Sequence, residues 1–478
     1  MTRMRLDSLH DFYRRQLFDE VLPFWMKRGI DRKLGGFFTC FSNRGDRLLH
    51  PHKFTWSQGR FVWVLSRLAR EFKGRRPEAE IADYLGCAGA GARFLMKHAR
   101  LPSGSCAFIL SEQGEPILLN PDGTARKAGP GEVYDTSVYA DLFVVYGIAE
   151  YAMAAGDRQA YDFAADLYDS AMARFLAPVY HSDPYPVPPG YEAHGRPMIL
   201  CETAHEMAQA AEHFRPFDPS TLRPSFDPEV SGPNGQDRTG GTQGGPEPRR
   251  TGRDPRKDAF LTQAGQFMAE VMDKFRDPKT NVILEMHSAD PAKRETMLGT
   301  YVNPGHMLES MWFVIHLAER LGMKGRIAQA IEVIRAACRV GWDEEHGGFF
   351  QFAHRDGGAP RGPVPPELAD AEMIRKLRGN WDNKLWWPHS EALYALLLGY
   401  RHSRAEDLLD WYWKAHDYAF GVFPNPDRSI GEWIHIRDRS GAPVDKVVAL
   451  PVKDPFHVPR AFILCIQLLE EMETRTNT

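Results

Sequence analysis

Cysteine is scarce and scattered. Cys40, Cys87, Cys106, Cys201, Cys338 and Cys465 are spread over 478 residues without a CxxC pair. Neither a zinc ribbon nor a disulfide framework is therefore expected, and the six thiols read as small buried hydrophobes in a reducing compartment. Neither sign of charge dominates. A net charge of -4 over this length excludes the strongly basic face that a nucleic-acid partner requires. No run approaches the ~18 apolar residues that span a bilayer. The opening stretch MTRMRLDSLHDFYRRQLF lacks the apolar core and cleavage site of a secretion signal. The expectation is a soluble, cytoplasmic protein with no membrane or nucleic-acid partner. HExxH, Walker A and dinucleotide-binding signatures are also missing.

What is present is ample core material, with 43% hydrophobic and 12% aromatic residues. One stretch differs from the rest. Residues 216–258 are rich in Gly, Pro and charge and poor in aliphatics, so they cannot bury enough surface to offset their ordering entropy. They read as a flexible surface insertion in a single domain spanning 1–478. Its excision with a short Gly/Ser bridge is expected to leave turnover and melting temperature nearly intact.

Elsewhere helical periodicity dominates. Six apolar segments begin with capping residues or an early proline, because the first N–H groups of a helix have no intrahelical partner. They open at Thr55, at Asp135-Thr136-Ser137, at Pro197, at Asn303-Pro304, at Pro388 and at Pro459. Six helices with wider polar faces alternate with them, near 8–28, 80–99, 158–175, 258–275, 325–340 and 404–419. Two alternating helical layers without a βαβ pattern predict an all-α (α/α)6 barrel of six inner and six outer helices. Weak repeats agree. DRKLGGFFTCF (31–41) returns as DEEHGGFFQFA (343–353) and more loosely as NPDRSIGEWIHIRD (425–438). Each follows an outer helix and alternates enough to form a short hairpin strand. Such hairpins would wall the barrel end where the inner-helix N-termini gather.

That geometry selects candidates. Trp56 and Arg60, then Ser137, Tyr139 and Asp141, then Asn303, His306 and Glu309, then Trp386, Trp387, His389 and Glu391, and finally His457, all fall at inner-helix starts. Aromatic planes mixed with polar groups suit a carbohydrate, whose C–H faces stack while its hydroxyls need partners. His306 and Glu309 share a helix face. The helix dipole disfavours imidazolium in the first turn, which favours His306 as a general base. His457 is similarly placed. Arg60 lies in an apolar helix and needs an anionic or hydroxyl partner. His205 lies deeper along its helix and reads as structural.

The motifs DRKLGGFFTCFSNRGD, KFTWSQGRFVW, SVYADLFVVYGIAEYA, NPGHMLESMWFVIHLA, WDEEHGGFFQF, KLWWPHSEALYALLLGY and FHVPRAF, in this order, resemble the N-acylglucosamine 2-epimerase family. That family also holds cellobiose 2-epimerases and sugar aldose–ketose isomerases. The resemblance implies the (α/α)6 barrel and a reaction that removes and returns the proton at C2 of an open-chain sugar. It places the acid–base pair at His306 and His457, with Glu309 and Glu391 orienting them or the substrate. Arg60 would bind the carbonyl-side oxygens, and Trp56, Tyr139, Asn303, Trp387 and His389 complete the substrate set. No metal or redox cofactor is implied, and a homodimer is an expectation. KFTWSQGR and KLWWPHSEAL look more like the N-acylglucosamine branch than the cellobiose branch.

Three alternatives stay open. An aldose–ketose isomerase would return the proton to C1. An inverting glycosidase would need two carboxylates ~6.5–9.5 Å apart across the pocket. A sugar-binding protein without catalysis would keep the aromatics and tolerate loss of a histidine.

Overall fold

A helix that is apolar nearly all round must be covered nearly all round, and that requirement sets the architecture. The computed structural model describes Leu6, 8–120, 122–175, 180–214 and 255–476. Among these residues twelve long helices alternate between two layers. They are α1 (9–29), α2 (Thr55–Glu71), α3 (Glu78–His98), α4 (Val138–Ala155), α5 (Arg158–Phe175) and α6 (Gly195–His213). They continue as α7 (255–275), α8 (Pro304–Leu321), α9 (Lys324–Gly341), α10 (Trp386–Ser403), α11 (Glu406–Val422) and α12 (His457–Thr476). Even-numbered helices form the inner ring. Each packs on the next, and α12 returns to α2 to close the barrel. The (α/α)6 expectation holds. The expected insertion lies outside the described residues up to 254, and its last residues, from Pro255, already form the first turn of α7.

Three starts differ from the sequence reading. Asn303 caps α8 as expected, its side chain accepting from the His306 N–H. Pro197, Pro388 and Pro459, however, are each the third residue of their helix, still within the first turn where a missing N–H costs nothing. The expectation of no membrane-length apolar run also needs correction. By length and composition α4 could span a bilayer, yet 89% of it is buried inside the barrel as a core helix.

Inner helices approach closely where side chains vanish. A Cβ on Gly59 of α2 would collide with the Phe143 carbonyl of α4, and one on Gly147 of α4 with the Gly59 carbonyl. The two helices therefore meet backbone to backbone.

The repeats prove to be anchoring devices. In the first two copies a glycine pair with positive φ (Gly35 and Gly36, Gly347 and Gly348) makes the tight turn, closed by the bridges Ile30↔Phe37 and Trp342↔Phe349. A buried lysine just before the next inner helix ties into that turn. Lys53 Nζ donates to Asp31 (2.8 Å) and to the Gly35 carbonyl (2.7 Å). Lys384 Nζ donates to Asp343 (3.0 Å) and to the Gly348 carbonyl (3.2 Å). In the third copy Glu432 takes the place of the second glycine, at φ 62, and pairs with Lys453 at 2.8 Å. A buried charge needs such a partner. The ties fix where α2, α10 and α12 begin. Five antiparallel pairs of two-residue strands, including 53–54 with 109–110 and 301–302 with 353–354, wall the same end. Strand 436–437 lies within the third repeat and strand 353–354 begins at the end of the second, while the other strands join segments outside the repeats.

Candidate active site

A cavity opens at the N-terminal end of the inner ring. Trp56 and Arg60 come to it from α2, Tyr139 from α4, His306 and Glu309 from α8, Trp386 and Trp387 from α10, and His457 from α12, with Asn303 just ahead of α8. Most of the expected site residues therefore meet in one place, while Ser137, Asp141, His389 and Glu391 lie outside the lining. At the mouth the walls turn apolar, with Tyr185, Met286, Tyr301, Phe352 and Met373 facing Val448, Leu450 and Val452.

Two imidazoles share one indole. The Trp387 ring lies 5.2 Å from His306 and 5.5 Å from His457, centroid to centroid. Gly305 makes the approach possible, because a Cβ there would fall 2.5 Å from that indole. Each imidazole donates its Nδ1–H to a carboxylate. His306 donates to Glu285 Oε2 at 3.0 Å, and His457 to Glu391 Oε1 at 2.8 Å. The carboxylate fixes the tautomer and leaves Nε2 as the nitrogen available to the pocket.

The electrostatics of the two differ. Among the described residues the Glu285 carboxylate bonds only to imidazoles, its other oxygen lying 3.4 Å from His194 Nδ1. Burial alone would push His306 down, but the charge and hydrogen bond of Glu285 outweigh it and raise the imidazole. Burial likewise opposes ionisation of Glu285, and the two imidazoles overcome it, holding the carboxyl at about 2. Glu391 is shared. It accepts from Arg460 Nη2 (2.7 Å) and Trp312 Nε1 (2.7 Å) as well as from His457. Burial works against its charge too, and the Arg460 cation followed by the His457 hydrogen bond brings it to about 2.

Several assignments change. Glu309, expected to serve His306, instead forms a buried ion pair with Arg460 at 2.5 Å. The carboxylate on His306 is Glu285, which sequence reasoning missed. Its signal was a lone acid among Val282, Ile283, Leu284 and Met286. His389 is not a substrate group. It is wholly buried outside the cavity, donating Nδ1–H to the Leu385 carbonyl (2.6 Å) and accepting the Phe349 N–H at Nε2 (2.8 Å). Gln58 accepts from Phe37 in the first repeat in the same way, so His389 fixes a repeat turn to α10. Asp141 is likewise structural, accepting from the Cys106 N–H and pairing with Arg174 at 2.8 Å. Also missed were His194, and the pair Asp454 and Arg460. Asp454 caps α12 by accepting from the His457 N–H at 3.0 Å, a spacing of three that DPFH displays.

Among the described residues, Arg60 is the one Arg or Lys lining the cavity. Its guanidinium lies 4.1 Å from the Phe143 ring and 5.0 Å from those of Trp56 and Phe456. Asp454 lies 3.6 Å away. Burial lowers its pKa to about 10, so it stays cationic at neutral pH. A guanidinium held by aromatic rings and one carboxylate keeps donors for an oxyanion.

Residues 253–461 match the model of the family described as N-acylglucosamine 2-epimerase (GlcNAc 2-epimerase). The N-acylglucosamine 2-epimerase of Bos taurus is 27% identical over 468 residues, covering 96% of this chain and 90% of that protein. Among solved structures, the cellobiose 2-epimerase from Bacillus thermoamylovorans superposes with a TM-score of 0.67 at 15% identity, covering 96% of this chain and 99% of that one. A D-mannose isomerase superposes with a TM-score of 0.64 at 17% identity, covering 97% and 98%. These structural likenesses establish the barrel fold.

Proposed function

We propose, from the premise that this chain belongs to the N-acylglucosamine 2-epimerase family, that it interconverts C2 epimers of an N-acylhexosamine of the N-acylglucosamine/N-acylmannosamine type. One observation carries the reading: two carboxylate-oriented imidazoles bracket a single indole in a pocket that also holds Arg60. The open-chain sugar lies with a C–H face on Trp387. One imidazole Nε2 takes the C2 proton beside the carbonyl, leaving an enolate with its charge on the C1 oxygen. Arg60 holds the oxygen on which charge develops, where preorganised donors stabilise most. The other imidazole returns a proton to the opposite face of C2, which inverts it. Positioned acid–base groups of this kind contribute roughly 10²–10⁴-fold.

The carboxyls argue against glycoside hydrolysis. That reaction needs a carboxylic acid kept protonated, whereas Glu285, Glu391 and Asp454 are all held below their usual range. The purified protein incubated with N-acetylmannosamine in D2O and followed by NMR tests the proposal. The expected result is N-acetylglucosamine carrying deuterium at C2. Label at C1 with ketose formed from mannose, run in parallel, makes the protein an aldose–ketose isomerase, and both sugars unchanged make it a binder.

A further inference from the structure

The third glycine repeat departs from the other two at two places. Glu432 stands where they have Gly36 and Gly348, and His435 where they have Thr39 and Gln351. The two departures bond to each other. His435 donates Nε2–H to Glu432 Oε1 at 3.2 Å, which leaves Nδ1 an acceptor. That nitrogen takes the N–H of Asp454 at 3.4 Å. The imidazole also stacks on the indole of Trp386, 4.2 Å between centroids at 14°, and Lys453 pairs with Glu432 at 2.8 Å. This copy therefore grips the segment just ahead of α12, where Asp454 sits in the cavity lining with 4% exposure.

Asp454 joins three inner helices at their mouths. Oδ2 accepts the His457 N–H of α12 at 3.0 Å and Trp386 Nε1–H of α10 at 3.4 Å. Oδ1 faces Arg60 Nη1 of α2 at 3.6 Å. The Phe143, Trp56 and Phe456 rings around Arg60 attract its charge, but a ring face does not choose which nitrogen turns to the cavity. A carboxylate at one corner of the fork does. Among the described residues Arg60 Nε has no hydrogen-bond partner, and Asp454 is the carboxylate within ion-pair reach. Glu309 and Glu391 are engaged by Arg460 instead. With Nη1 turned to Asp454, Nη2 is left for the oxygen that gains charge. Burial opposes ionisation of Asp454, and the charges of His457 and Arg60 overcome it.

We propose that Asp454 is a positioning residue of the sugar reaction. It aims the Arg60 fork at the developing oxyanion and sets the first turn of α12, which carries His457, so that the oxyanion donor and one base stay in register. The third repeat, through His435 and Lys453, holds Asp454 in place for this. The role rests on the acid–base reading above, in which Arg60 stabilises the charge on the C1 oxygen.

The test is Asp454→Asn in the full chain, followed by epimerisation of N-acetylmannosamine and by thermal unfolding. Asn keeps the size and the capping oxygen and removes the charge beside Arg60. A fall in kcat of roughly 10–100-fold is expected, since a misplacement of about 1 Å costs on that order, with KM changed much less and the melting temperature near wild type. A second variant carrying both Asp454→Asn and Arg60→Lys is expected to lose less than the product of the two single losses, because one residue acts through the other. Should Asp454→Asn fold poorly, Asp454→Ser, which still caps a helix but cannot reach Arg60, takes its place in both measurements. Wild-type kcat in the single variant, or losses that multiply in full in the double one, overturns the proposal and leaves Asp454 a cap. A wild type that leaves N-acetylmannosamine unchanged overturns the epimerase reading itself, and the positioning role with it.

Discussion

His306 and His457 reach the same indole from different surroundings. Among the described residues the carboxylate of His306, Glu285, has only imidazoles for partners. That of His457, Glu391, belongs to a buried network with Arg460, Glu309 and Trp312. At the first station an unneutralised carboxylate is free to support imidazolium. At the second the carboxylate shares one guanidinium with Glu309 and is locked into the core. The same imidazole–carboxylate pairing thus supports a proton site from an adjustable carboxylate in one place and from a carboxylate held in the scaffold in the other.

The largest effects should show no asymmetry. His306→Ala and His457→Ala are each expected to lower kcat by roughly 10²–10⁴-fold, with melting temperatures close to wild type, as measured by epimer conversion and thermal unfolding. Substantial turnover in either variant removes that residue from the pair.

Their carboxylates should then separate. Arg460→Met would leave Glu309 and Glu391 buried without their cation, and breaking such a pair costs about 3–5 kcal/mol; denaturant unfolding measures it. Glu285→Gln is expected to reduce kcat by roughly 10–100-fold, the range seen when a partner that orients an imidazole is lost, at a smaller cost in stability. It should also move the alkaline limb of the pH–rate profile to lower pH, because Glu285 raises His306. Unfolding against pH adds the sign. Glu285 and Glu391 are held at about 2 from an ordinary 4.5. Their stabilisation is therefore complete above 4.5 and is lost as pH falls toward 2. His306 works the other way, its share fading as pH rises through its raised folded-state value.

Arg60→Lys keeps the charge and loses the planar fork. A larger fall in kcat than rise in KM is expected, because the interaction strengthens in the transition state. The smallest catalytic effect should come from His389→Gln, which disturbs a repeat turn. Melting temperature should fall while kcat stays near wild type, and a collapse of kcat would return His389 to the pocket.

Much of this was legible in the sequence because periodicity and capping are local. The alternation of apolar and wide-faced helices predicted the barrel, and Asn303-Pro304 placed His306 at a helix mouth. The errors concern partners that are distant along the chain. His389 occupies a helix start like His306, but only the fold shows that Gly348 and Phe349 come to it. Glu285 lies 21 residues from His306, in a stretch with no motif. Arg460 was visible in FHVPR, yet its two carboxylates come from α8 and α10. The glycine repeats were seen as strands, while their lysine ties Lys53, Lys384 and Lys453 required the three copies to be compared in space.

The central claim is that His306 and His457 act as two separate bases on the two faces of C2. Proton exchange by the alanine variants tests it most directly. Each variant is incubated in D2O with each epimer separately, and loss of the C2 proton is followed by NMR. The account predicts a complementary pattern, in which His457→Ala exchanges one epimer only and His306→Ala only the other, neither inverting C2 at an appreciable rate. Exchange of the same epimer by both variants, or of both epimers by one of them, would contradict it.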